Sequence, residues 1–170
     1  MLIKVIGASL IMAGTVGWGI MGVRRLRIRA SVLRELTSSL DIMRGEICER
    51  CTPMPQLLKN LSELYRAPVS NFYRRAAEKL ETDETLFKAW QSAVDESAEL
   101  MLNEDEKSAM RELGLCLGKY DAQEQRTAIE YTRRRLSAFA DKAIAQRDSE
   151  SKLHAFLGVA AGIFAVMILL

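Results

Sequence analysis

The chain has 170 residues, 49% of them hydrophobic, 27% charged and 6% aromatic, a mixture that can bury a core and excludes disorder over its whole length. A formal charge of +2 excludes a general nucleic-acid binder. The three cysteines, Cys48, Cys51 and Cys116, cannot all pair, which excludes a secreted disulfide framework and fits a reducing compartment.

The first element is an apolar run. Val5 to Val23 is 19 residues without a charged side chain, and as a helix it rises roughly 28 Å, close to the hydrocarbon thickness of a bilayer. Its glycines, Gly7, Gly14, Gly17, Gly19 and Gly22, weaken a helix in water but are tolerated in lipid, where small residues let helices approach. The competing reading is a cleaved signal peptide, which wants a shorter apolar stretch and a small-residue cleavage site. Here the run ends instead in Arg24, Arg25, Arg27 and Arg29. Residues 1–23 are therefore expected to form an uncleaved transmembrane segment.

Residues 24–152 show helical spacing throughout and no sustained alternation of period two. Leu33, Leu36, Leu40, Met43 and Ile47 form a narrow apolar stripe on a first long helix, which can run straight out of the membrane segment. Thr52-Pro53 reads as a cap with proline at the first helical position, opening a helix built on Leu57, Leu58, Leu61 and Leu64. Ala67-Pro68 closes it, and Ser70 is the expected cap of a third helix carrying Phe72, Tyr73, Ala76 and Leu80. Thr82 or Asp83 is the expected start of a fourth, with Leu86, Phe87, Trp90 and Val94 on one face. Asn103 with Glu106 is a capping box for a fifth helix on Met110, Leu113 and Leu117. Gly118 suits its end, and Asp121 with Glu124 opens a sixth, whose inward face is Ile129, Leu136, Phe139, Ala140 and Ile144.

The final element, Leu153 to Leu170, is apolar apart from His154 and carries a Gly158/Gly162 pair one turn apart. It is expected to be a second membrane segment, 153–170, with a soluble core helix as the competing reading. Arg24, Arg25, Arg27, Arg29 and Arg34 flank the first apolar run, and Lys142, Arg147 and Lys152 precede the second. Carrying each such charge across lipid costs about 2.5–3.5 kcal/mol at a helix centre, so both runs hold the middle region in the cytoplasm. The expected fold class is all-α: a compact six-helix bundle between an N-terminal and a C-terminal transmembrane helix. A soluble four-helix core with frayed ends is the alternative.

Chemistry is sparse in this pattern. The sole histidine, His154, abuts an apolar run, and there is neither a G-x-S-x-G elbow nor a glycine-rich phosphate loop. The chain is therefore expected not to be an enzyme, with no catalytic residue, cofactor or metal. Cys48 and Cys51 form a C-x-x-C, but at a helix end in an all-α chain rather than beside a βαβ unit. A general helical adaptor or redox- or metal-responsive sensor using that pair is the competing function. From Glu78 to Glu112 there are eleven acidic and four basic side chains, an acidic pole that suits either a basic partner or plain solvation.

Several residue groups resemble the stage III sporulation protein AB family. The stretch Gly114 to Gln125 contains Leu117-Gly118, Asp121 and Gln125 in the family's L-G-x-x-D-x-x-x-Q pattern. Leu40 to Pro53, with Glu46-Ile47 before Thr52-Pro53, is similar to its first helix and turn, and Trp90 matches on the fourth helix. The resemblance spans essentially the whole chain and marks Glu46, Leu117, Gly118, Asp121 and Gln125 as signature or interaction residues. Cys48 and Cys51 depart from the signature. The resemblance implies a platform component of the channel complex between mother cell and forespore, similar to the cytoplasmic domain of type II secretion and type IV pilus inner-membrane platform proteins. The partners it implies are a secretion-type hexameric ATPase, other membrane proteins of the complex and membrane lipid, with no nucleic acid or small-molecule substrate. The location it implies is the cell membrane, with the central domain on the mother-cell side.

Overall fold

The computed structural model describes the backbone over residues 2–82, 85–118 and 121–169, and side chains over 25–82, 85–118 and 121–149. Among the described residues there are six α-helices and no strand: α1 (Leu2–Cys48), α2 (Met54–Leu64), α3 (Val69–Glu81), α4 (Leu86–Glu96), α5 (Glu104–Cys116) and α6 (Ala122–Leu169). A single 3-10 turn, Ala98–Leu100, joins α4 to α5. Periodicity alone misses it, because Leu100 is a lone buried anchor between two amphipathic stretches.

Two compact units result, Arg29–Asp141 and the terminal stretches Met1–Ile28 with Lys142–Leu170. The terminal unit consists of the beginning of α1 and the end of α6, which are single helices over Leu2–Cys48 and Ala122–Leu169. The membrane segments expected at 1–23 and 153–170 lie outside the residues whose side chains are described. Among the described residues no helix is long and apolar enough to cross a membrane.

The central unit follows the apolar stripes. Leu33, Leu36, Leu40 and Met43 of α1 are fully buried, with Leu57, Leu58 and Leu61 of α2, Phe72 and Tyr73 of α3, and Trp90 of α4. Successive helices from α2 to α5 pack against one another. Phe72 meets Trp90 edge to face with ring centroids 5.1 Å apart, and Tyr73 at 4.8 Å, an aromatic centre joining α3 to α4. Tyr73 Oη is 2.5 Å from Ser39 Oγ of α1. Burial pushes the Tyr73 phenol up, so it stays a neutral hydrogen-bonding group in the core. Leu64, expected on the inner stripe of α2, is 62% exposed because α2 ends there and the chain turns away.

Several helix starts differ from the sequence expectation. Thr52 does not cap α2; its hydroxyl donates to Glu46 at 2.6 Å, while Pro53 takes the cap position and Pro55 lies in the first turn. Ser70 does not cap α3, which begins at Val69 after Pro68 with no side-chain cap. The Ala67–Pro68 peptide bond is cis. Thr82 ends α3, its hydroxyl donating to the Lys79 carbonyl, and α4 is capped by Thr85, whose oxygen accepts from the Lys88 amide. Of these three, only α4 gains a side-chain cap, from Thr85, whereas α2 and α3 each start after a proline without one. The Asn103–Glu106 capping box forms as the sequence predicts, at 2.9 and 2.8 Å.

Candidate functional site

The turn between α1 and α2 and the turn between α5 and α6 meet at one end of the central unit. The Cys48 thiol, on the last residue of α1, points to the Ala122 carbonyl at the start of α6 at 3.5 Å. Twenty residues of α1 separate this end from Arg29, roughly 30 Å of helical rise.

Glu46 lies inside the first turn. Its carboxylate accepts from Thr52 at 2.6 Å and from Arg50 at 2.6 Å, while the Thr52 amide donates to the Glu46 carbonyl at 2.9 Å. The Thr52 hydroxyl, helped by Arg50 against partial burial, holds the Glu46 carboxyl below the usual range. Cys51 crosses this turn with φ 52, the left-handed conformation that glycine usually supplies. Glu46 is thus a turn-closing side chain.

The second turn gathers the other four signature residues. Leu117 is buried and its amide donates to the Leu113 carbonyl, closing α5. Gly118 has φ +74, and a Cβ there would come within 2.9 Å of Leu86 Cδ2. Asp121 Oδ1 accepts from the Glu124 amide at 2.8 Å, capping α6. Gln125 reaches back from the first turn of α6, its Oε1 accepting from the Gly118 amide at 3.4 Å. The spacing of glycine, aspartate and glutamine is therefore the spacing of one folded corner. Gly118 bends it, Asp121 starts the next helix, and Gln125 ties the two together.

Beyond the corner, α1 and α6 form an open groove of about 500 Å³, lined by Arg44 on α1 and by Gln123, Arg126, Glu130, Tyr131 and Arg134 on α6. Glu130 is held by Arg133 at 2.7 Å, Arg134 at 3.3 Å and Arg44 at 3.5 Å, and Arg133 also reaches Asp41 at 3.4 Å. The Arg133 guanidinium, with Arg134, pulls the Glu130 carboxyl down to about 2. Sequence reading did not single out these residues. Their signal was a run of arginines at helical spacing, which resembles any solvated face.

The acidic stretch from Glu78 to Glu112 is largely matched from within the chain. Asp95 pairs with Arg111 at 2.5 Å, Glu96 with Lys79 at 2.7 Å, Glu99 with Arg75 at 2.5 Å, and Glu112 with Arg135. Glu106, fully buried, takes Arg29 across to α1 at 2.5 Å. Among the described residues no group of three His, Cys, Asp or Glu side chains could hold a metal ion. The three cysteines are free thiols.

The family model for stage III sporulation protein AB matches residues 4–170. The chain belongs to that family. Its fold is also that of a solved structure, stage III sporulation protein AB, with a TM-score of 0.67 at 19% sequence identity. That likeness covers 72% of this chain and 98% of the other. No curated protein sequence matches. Within the family frame, Glu46, Leu117, Gly118, Asp121 and Gln125 are the residues that shape one end of the helical unit, and the α1–α6 groove opens directly beside them.

Proposed function

We propose that this family member is a non-enzymatic, membrane-anchored platform of a sporulation channel complex, coupling a secretion-type hexameric ATPase to membrane components. The family match over residues 4–170 carries the sporulation role. The platform reading rests on the two apolar runs, the first flanked by Arg24, Arg25, Arg27 and Arg29 and the second by Lys142, Arg147 and Lys152, which suit anchors that leave residues 24–152 on the mother-cell side. It is supported by how the described residues use their buried polar groups. Ser39, Ser97 and Glu106 each bond a neighbouring helix, to Tyr73, Arg75 and Arg29, rather than converging on a reactive centre. Such inter-helix bonds suit a part that transmits force rather than one that performs chemistry.

Co-isolation tests the coupling. Full-length tagged chain taken from sporulating cells in mild detergent is expected to retain the ATPase of the complex and to lose it when residues 24–152 are deleted. Recovery of the complex's other membrane proteins without the ATPase would refute the coupling. Protease mapping around exposed Arg74 tests the topology, with cleavage expected only from the mother-cell side.

The sensor reading with Cys48 and Cys51 differs in one measurable outcome. Replacing both by serine leaves sporulation unchanged if the platform reading holds, and abolishes the response if the thiols act.

A further inference from the structure

We infer that the groove between α1 and α6 docks an acidic segment of a separate protein. The inference deepens the platform reading and rests on it for the existence of a protein partner.

The α6 side of the groove is the stripe Gln123, Arg126, Thr127, Glu130, Tyr131 and Arg134. These positions follow the 3- and 4-residue spacing of a single helix face, the arrangement by which a helix meets an elongated neighbour. Among the described residues this face is open to solvent, and Gln123, Arg126 and Thr127 are all exposed. Tyr131 is 60% exposed, and the Arg134 side chain 74%. Arg126 is exposed and makes no ion pair among the described residues.

Charge sets the chemistry of the occupant. Three guanidinium groups, from Arg44, Arg126 and Arg134, line the groove against one carboxylate, Glu130. That carboxylate is shared by Arg44, Arg133 and Arg134, and among the described residues no second carboxylate lines the groove. Arginine forks take carboxylates in two-point contacts, and an exposed tyrosine beside them supplies a rigid, amphipathic anchor. Arg135 stands 5.5 Å over the Tyr131 ring and is fixed by Glu112, which keeps the ring oriented on the groove wall. On α6 the lining begins at Gln123, in the helix's first turn beside the corner, and continues along the helix to Arg134. The neighbouring corner of Gly118, Asp121 and Gln125 fixes the first turn of α6 and hence the register of the stripe.

Site-specific photo-crosslinking in sporulating cells tests this, with benzoylphenylalanine at Thr127 in the full-length chain. Thr127 is exposed and, among the described residues, bonds the Gln123 carbonyl of its own helix, so the substitution leaves the core packing alone. The expected product is an adduct to a segment of another protein rich in aspartate and glutamate, located by mass spectrometry. Its yield is expected to fall at least tenfold in the Arg126→Glu, Arg134→Glu variant and to survive in the Arg126→Lys, Arg134→Lys variant; Arg126→Glu alone, which spares the Arg134–Glu130 pair, is expected to lower the yield with the fold intact. An adduct to lipid, to a second copy of this chain, or to a segment without acidic residues overturns the inference, as does a yield indifferent to charge reversal. So does the absence of any adduct when the same reporter at exposed Arg74 shows that the variant accumulates. If the acidic segment belongs to a protein other than an ATPase, the groove stands and the ATPase coupling falls. If the ATPase still co-isolates while no acidic adduct forms, the groove alone falls.

Discussion

The indole of Trp90 lies against the backbone of Gly114. A Cβ at Gly114 would stand 2.5 Å from Trp90 Cδ1, and the indole Nε1 donates to the Met110 carbonyl one turn earlier, at 2.7 Å. The contact joins α4 to α5 with no side chain between the ring and the helix, and it explains why a glycine occupies a helix interior where alanine is ordinarily preferred.

Two glycine substitutions should therefore have opposite signs. Gly45→Ala, in α1 with open space around it, is expected to stabilise the chain by about 0.5–1 kcal/mol. Gly114→Ala carries the same propensity gain but forces the indole aside, an overpacking cost of about 1–3 kcal/mol. Its net effect is expected to be a loss of up to about 2 kcal/mol. Denaturant unfolding of the two variants side by side decides it, and an equal gain at both positions would refute the packing argument.

Arg29 and Glu106 form the most buried ion pair among the described residues, with side-chain exposures of 18% and 0%. Arg29 belongs to the arginine cluster that flags topology in the sequence, yet its guanidinium makes a two-point contact with a carboxylate 77 residues away. Glu106 Oε2 also accepts from the Asn103 amide and closes the cap of α5. Removing the more exposed partner leaves the buried charge unpaired. Arg29→Ala is expected to cost about 3–5 kcal/mol, and Glu106→Gln, which keeps the cap bond, distinctly less. Thermal unfolding with the reverse ranking would show that the pair is not held as described.

Acid should weaken the α1–α6 seam in a defined window. The Glu130 carboxyl is held near 2 in the folded chain, chiefly by its hydrogen bond to Arg133, against an ordinary value of 4.5. A depressed carboxyl contributes stability that is complete above its unfolded value and is lost as pH falls from there through the folded one. The thermal midpoints of the wild type and Glu130→Gln are thus expected to differ near neutrality and to converge between about pH 4.5 and pH 2. A gap that stays constant over that range would remove Glu130 as the source. Glu46 and Glu104, held down by Thr52 and Lys107, add acid sensitivity of the same sign.

The α5–α6 corner makes a graded prediction. Gly118→Ala combines a left-handed backbone with a 2.9 Å approach to Leu86 and is expected to cost at least about 1–2 kcal/mol. Asp121→Ala removes a cap and costs about 0.5–2 kcal/mol. Gln125→Ala loses a longer bond, for about 0.5–1.5 kcal/mol. Unfolding midpoints should follow that structural order, and a Gln125→Ala chain as stable as wild type but inactive in sporulation would make Gln125 a contact residue instead.

Helix content, the long unbroken first and last helices, and the buried stripes on α1, α2 and α5 were all legible in the chain, because each follows from local periodicity and capping chemistry. Asn103 with Glu106, and Asp121 with Glu124, announced their helix starts within four residues. Thr52, Ser70 and Thr82 each sit near a proline or a helix end and could cap, yet Thr52 bonds Glu46, α3 starts after Pro68 without a side-chain cap, and Thr85 caps α4. What the sequence alone determined is which faces avoid water, since that depends only on residue type and helical repeat. Tertiary structure decided which distant charges meet, so that Arg29 finds Glu106, Arg44 finds Glu130, and Gln125 turns back on Gly118. Such pairings depend on where helices cross, a property of the whole packed unit that no local window contains.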